Sequence, residues 1–203
     1  MQPIVEPLVA LLLGYALGSI PFGILLTRLS GAGDLRQIGS GNIGATNVLR
    51  TGRKGLAAAT LLLDLAKGTA ALVLAERLFP GTVPLAAIGA MIGHLWPVWL
   101  RFAGGKGVAT YFGVVLGFAL VDGLGWGAPA AYAAAWIGTL ALSRYSSLGG
   151  LAAATAMPPA SALLGRFDLA LLFLGFTLLV YWKHRENIAR LFAGTESRVG
   201  RGA

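Results

Sequence analysis

Long apolar runs, separated by short polar and glycine-rich segments, dominate this chain. Seven runs lie between charges and turn signals: residues 8–29, 55–79, 83–100, 108–121, 126–142, 148–164 and 167–182. A helix needs about 20 apolar residues to cross a bilayer, within a range of roughly 17–25. The runs predict an all-α polytopic membrane protein with seven transmembrane helices, in a single domain over residues 1–203. The fourth and seventh runs are short. Each is tilted, re-entrant or extended into flanking sequence.

Small residues recur at helical spacing as Gly14/Gly18, Gly89/Gly93 and Gly113/Gly117. Such pairs let helices approach closely in lipid. No internal repeat is visible, which weakens a transporter built from duplicated halves. The first residues, MQPIVEPLV, lack a basic n-region and an A-x-A site, so a retained first span is expected.

Composition agrees with the pattern: 56% of residues are hydrophobic and 12% charged, against about 25% charged in a soluble domain. With no cysteine, disulfides and thiolate metal sites are excluded, and two histidines are too few for a histidine-built metal centre. The net charge of +8 would suggest nucleic acid in a soluble protein. Here its distribution matters more. With the loop between the first two runs placed in the cytoplasm, that side carries Arg28, Arg36, Arg50, Arg53, Lys54, Arg101, Lys106, Arg144, Lys183, Arg185, Arg190, Arg198 and Arg201, 13 of the 16 basic residues. The positive-inside rule then puts the N-terminus outside and the C-terminus in the cytoplasm. All the polar segments singled out next fall on that cytoplasmic face.

The richest is 39–54, GSGNIGATNVLRTGRK. Ser40, Asn42, Thr46, Asn47 and Arg50 crowd together there with glycines that let backbone amides reach an anion. Its Gly39-x-Gly41-x-x-Gly44 matches a dinucleotide fingerprint, with Asp64 20 residues beyond Gly44. That fingerprint needs a preceding strand, and an apolar run precedes it here, so the match is rejected. The second segment, RFAGGKGVAT, sets Lys106 among Gly104, Gly105 and Gly107 at the start of an apolar run. Backbone amides and a helix N-terminus can hold a phosphate there while the lysine neutralises it. A third polar turn holds Arg144, Tyr145, Ser146 and Ser147. His184 and Asn187 share a helical face at i, i+3 in HRENIARL, and Glu196 in the tail is placed to pair with a site arginine. Asp64 and Lys67 stand one turn apart inside the second run, either as an internal ion pair or as support for the site. His94, beside Trp96 and Pro97, reads as structural.

These groups offer many anion donors and few acids. No carboxylate cluster stands ready to hold Mg²⁺, no HxxxxD follows either histidine, and no GxSxG elbow is present. What remains is a site that clamps phosphates at the membrane surface and lets two bound substrates react through proximity and electrostatics. A transporter of an anionic phosphorylated metabolite is the alternative.

GSGNIGATNVLR, GHLWPVWLRFAGGKGVAT, RYSSL and HRENIARLFAGTES occur in order across essentially the whole chain. Together they resemble the bacterial acyl-phosphate-dependent glycerol-3-phosphate acyltransferase family. The resemblance implies a seven-helix inner-membrane enzyme of phospholipid synthesis that acylates the 1-hydroxyl of glycerol 3-phosphate from acyl phosphate. It implies membrane lipid as surroundings, no cofactor or metal, and no nucleic-acid partner. Carried over by motif, Ser40, Arg50, Lys106, His184 and Asn187 are expected to be catalytic. Asn42, Thr46, Asn47, Gly104, Gly105 and Gly107 are expected to bind phosphate or substrate, with Ser146 or Ser147, and Glu196 to give structural support. The general base is either the substrate's own phosphate or His184. Ile43 departs from the family's usual proline and is expected to alter loop stiffness, not chemistry.

Overall fold

The apolar runs fold as helices, and no strand occurs among the described residues. The computed structural model describes residues 5–200. Its α-helices are α1 (Val5–Gly18), α2 (Phe22–Leu29), α3 (Ala45–Leu49), α4 (Lys54–Leu78), α5 (Val83–Leu95), α6 (Val108–Val121), α7 (Gly127–Ser143), α8 (Ser146–Leu163), α9 (Phe167–Lys183) and α10 (Arg185–Phe192). Single 3-10 turns lie at Leu35–Gln37 and Val98–Leu100. Arg201, counted above among the cytoplasmic cations, lies outside the described residues.

Each of the seven predicted runs is occupied by helix. By length and apolarity, Val5–Leu29, Lys54–Leu78 and Val83–Leu100 can each cross a membrane, and α9 with α10 passes the same test across a 62° bend. Breaks inside the runs have local causes. The first run parts at Ser19–Ile20–Pro21, where Pro21 has no amide to continue the helical ladder. The third leaves α-helix after Leu95, because Pro97 pushes Trp96 out of the helical region (φ −141°, ψ 64°). Tyr15 ties that end to α1. Its hydroxyl donates to the Trp96 carbonyl (2.9 Å) and accepts from the Val98 amide (3.0 Å).

The chain falls into two compact units, one ending at Asp122 and one beginning at Gly123. In the first, the predicted glycine pairs are the packing seams. A Cβ on Gly14 or Gly18 would strike the carbonyls of Ala86 and Ala90 on α5, and one on Gly89 or Gly93 the carbonyls of Leu11 and Tyr15 on α1. Gly68 and Gly113 do the same between α4 and α6. Without a hydrophobic driving force between helices in lipid, such backbone contact is what joins them. In the second unit α8 packs on α7 and on α9. Thr177 of α9 donates to the Ala154 carbonyl of α8 (2.8 Å).

Candidate active site

The segment between α2 and α4 folds around Asn47, which is buried. Its Nδ2 donates to the carbonyls of Leu35 (3.0 Å) and Ile38 (2.8 Å). Its Oδ1 accepts from the Ser40 amide (3.1 Å) and the Ser40 hydroxyl (3.4 Å). Beneath it Leu35, Val48 and Ala57 form a small core with Leu49 and Leu56. Asn42 Oδ1 accepts from the Gly44 amide (2.9 Å), an Asx turn that starts α3. Asn42 and Asn47 thus bond within the segment itself, while Ser40, Thr46 and Arg50 are exposed. Gly39 makes this possible. It adopts φ +54°, and a side chain there would meet Asn47 Oδ1 and the Arg50 side chain. Ile43 is buried, with its carbonyl against Gly23 of α2, so this residue anchors the segment.

The loop before α6 is held rather than free. The Gly105 amide donates to the His94 carbonyl (3.0 Å). The His94 ring fills the space a Gly105 side chain would need, and Gly104 lies on the carbonyls of His94 and Leu95. Gly107 caps α6 against Met91 and Leu95. Lys106 is half-buried between these contacts, next to the first amides of a 14-residue helix. An ammonium and a helix N-terminus side by side favour a phosphate.

In the second unit the chain bends at His184, the C-cap of α9 and N-cap of α10. Its ring is buried, and Nδ1 faces the Val180 carbonyl at 2.8 Å. A carbonyl only accepts, so Nδ1 carries the proton and Nε2 of the neutral ring is an acceptor. Glu196 then gathers three groups. Its Oε1 accepts from the Ser147 hydroxyl (2.7 Å) and Asn187 Nδ2 (2.6 Å), and its Oε2 from Arg190 Nε (2.7 Å). Ser147, rather than Ser146, therefore joins the cluster. Gly194 turns the tail back: at φ +69° it closes α10, with the Thr195 amide on the Arg190 carbonyl (2.9 Å). The Val199 amide donates to the Arg144 carbonyl (2.8 Å) and Arg198 Nε to the Tyr145 hydroxyl (3.1 Å). Burial pushes the Glu196 carboxyl up, but the bonds from Asn187, Ser147 and Arg190 outweigh it and hold the group below its ordinary range.

Arg190 is a member of this cluster that the sequence reading did not single out. Its signal was its place three residues beyond Asn187, on the same face of α10. An apolar groove of about 410 Å³ adjoins the cluster, lined by Leu148, Leu151, Tyr181, Ile188, Leu191 and Phe192. Among the described residues no group of three or more histidine, aspartate or glutamate side chains could hold a metal ion.

A family model described as glycerol-3-phosphate acyltransferase matches residues 8–194. A glycerol-3-phosphate acyltransferase of Brucella ovis is 56% identical over 191 residues, covering 94% of this chain and 92% of that protein. One of Mesorhizobium japonicum is 55% identical over 193 residues, covering 95% and 96%. Among solved structures, PlsY (YgiH), an integral membrane glycerol 3-phosphate acyltransferase, is similar in its glycerol 3-phosphate form with a TM-score of 0.85 and 34% identity, covering 96% of both chains. Its lysophosphatidic acid form gives a TM-score of 0.83 and 32% identity, covering 96% of this chain and 95% of that one.

Proposed function

Because the chain belongs to the glycerol-3-phosphate acyltransferase family, we propose that it moves a fatty acyl group from acyl phosphate to the 1-hydroxyl of glycerol 3-phosphate. The products are lysophosphatidic acid and phosphate. The observation that carries this reading is the build of the two cationic loops, Arg50 over Gly39 and Lys106 between Gly105 and Gly107. Both loops are closed around glycines whose side-chain space is filled, so their cations and amides are preorganised for phosphate.

In the proposed step the substrate 1-hydroxyl oxygen bonds to the acyl carbonyl carbon, and the bond from that carbon to the phosphate oxygen breaks. The hydroxyl proton ends on the departing phosphate, which leaves as hydrogen phosphate. Arg50, Lys106, Ser40 and Thr46 hold the phosphates. Asn42 and Asn47 act one step back, by shaping the segment that carries Ser40 and Arg50. His184 Nε2 takes the proton of the attacking hydroxyl as the new carbon–oxygen bond forms and passes it to the departing phosphate, and Asn187 and Ser147, fixed by Glu196, orient glycerol 3-phosphate. The apolar groove beside Leu148 and Ile188 takes the acyl chain. We read the chain as crossing the bacterial inner membrane seven times, and the excess of cations in the loops containing Arg50, Lys106 and Arg144 and in the tail supports its orientation. The N-terminus would lie outside and the site on the cytoplasmic face. A transporter reading has no support from the family.

Supplied with glycerol 3-phosphate in detergent, the purified protein is expected to make lysophosphatidic acid from acyl phosphate and none from acyl-CoA or acyl carrier protein. Equal product from acyl-CoA would sink the donor assignment. His184→Ala is expected to lower kcat about 10²-fold with KM little changed, by removing one oriented acceptor. A wild-type kcat would remove His184 from the step.

A further inference from the structure

The deepest polar cluster of the first unit takes no part in the step above. Asp64, Lys67 and His94 are each less than 5% exposed. Asp64 and Lys67 lie mid-way along α4, paired at 2.7 Å. A buried ion pair is weak evidence for stability, because desolvation of both charges offsets their attraction and apolar residues of similar volume pack as well or better. Inside a membrane the cost is higher, so such a pair points to a task.

The pair reaches in two directions, and each ends at irregular backbone. Lys67 Nζ donates to the Ile20 carbonyl at 2.8 Å, in the break between α1 and α2. From that break α2 runs to Gly23, which lies against the Ile43 carbonyl of the segment carrying Ser40 and Arg50. Asp64 Oδ1 lies 3.9 Å from His94 Nδ1. The His94 ring and carbonyl in turn are the seat of Gly105 and Gly104, beside Lys106. One buried pair thus underlies both cationic loops.

We infer that Asp64 and Lys67 are positioning residues that hold the Lys106 loop, through His94, and the Ser40–Arg50 segment, through Ile20 and α2, in the geometry that receives phosphate. This inference rests on the acyltransferase reading for its substrate. The Lys106 loop has no regular secondary structure of its own, and the Ser40–Arg50 segment has only the five-residue α3, so the placement of both depends on what seats them. A shift on the order of 1 Å at a positioned group is enough to cost rate or affinity.

The test replaces both charges at once with Asp64→Leu and Lys67→Met. A merely structural pair predicts full recovery, since no unpaired charge remains. Positioning predicts a thermal midpoint at or above that of wild type, a KM for glycerol 3-phosphate raised about tenfold, and a kcat lowered about tenfold through the displaced Lys106. Asp64→Asn, read by the same split, decides if the double variant does not fold. Stabilisation of the detergent-solubilised protein by inorganic phosphate supplies a readout that needs no turnover, and its apparent affinity should weaken about tenfold in the variant. Wild-type KM and wild-type phosphate affinity in the folded variant would overturn the inference. If the wild-type protein makes no product, the acyltransferase reading fails, and phosphate affinity alone then decides whether the pair positions the loops.

Discussion

Lys106→Ala is expected to cut phosphate release from acyl phosphate plus glycerol 3-phosphate about 10³-fold, or about 4 kcal/mol of transition-state stabilisation. The size follows from what Lys106 faces. The reaction develops charge on a leaving phosphate, and a cation beside a helix N-terminus stabilises that charge more than it stabilises the bound substrates. The loss should therefore fall mainly on kcat, measured by phosphate release in detergent. Lys106→Arg should restore little. Gly105 and Gly107 on either side are buried, and a planar guanidinium cannot take the place of a compact ammonium in so tight a turn. Gly105→Ala keeps the charge but puts a methyl into the His94 ring, and is expected to lose activity by moving the loop. Full activity in Lys106→Ala would remove the lysine from the site.

The helical runs were legible because apolar length and charge position mark them strongly, and the glycine pairs that pack them stand in the sequence at i, i+4. The interruptions were harder to read. Apolarity continues through Ser19, Ile20 and Pro21, so one run hides the break whose carbonyl Lys67 takes. Likewise, residues 167–182 read as a short span that is tilted, re-entrant or extended into flanking sequence, with His184 and Asn187 on one helical face, whereas the chain bends at His184 before continuing as α10. Composition marks the polar segments but does not tell which side chains build them. Asn47 has the same hydrogen-bonding capacity as an exposed ligand residue. Only the fold shows that Leu35, Ile38 and Ser40 occupy it. Arg190 was one cation among many at a positive interface, and what sets it apart is a tail that Gly194 folds back onto it.

Glu196→Ala is expected to lower kcat/KM about 10³-fold, the other large effect. Glu196 touches no reacting atom in the proposed step, yet one carboxylate fixes Ser147, Asn187 and Arg190 together. Its removal frees two substrate-orienting groups at once and leaves Arg190 without its carboxylate. Charge-assisted hydrogen bonds of this kind contribute about 1.5–3 kcal/mol each. Groups that act as a unit lose activity non-additively, so Glu196→Ala combined with Asn187→Ala should be little worse than either alone. Glu196→Gln should fall between, because its carbonyl still serves Ser147 and Asn187 while its amide opposes the Arg190 donor. Acid gives an independent check. The folded carboxyl titrates below its ordinary value of 4.5, so its stabilising contribution is fully present above that value and is lost as pH falls through the lowered folded value. The gap in thermal midpoint between wild type and Glu196→Ala should accordingly be constant at neutral pH and close below about pH 4.5. A gap that persists in acid would mean that Glu196 holds the tail by its packing and neutral hydrogen bonds and not by its charge.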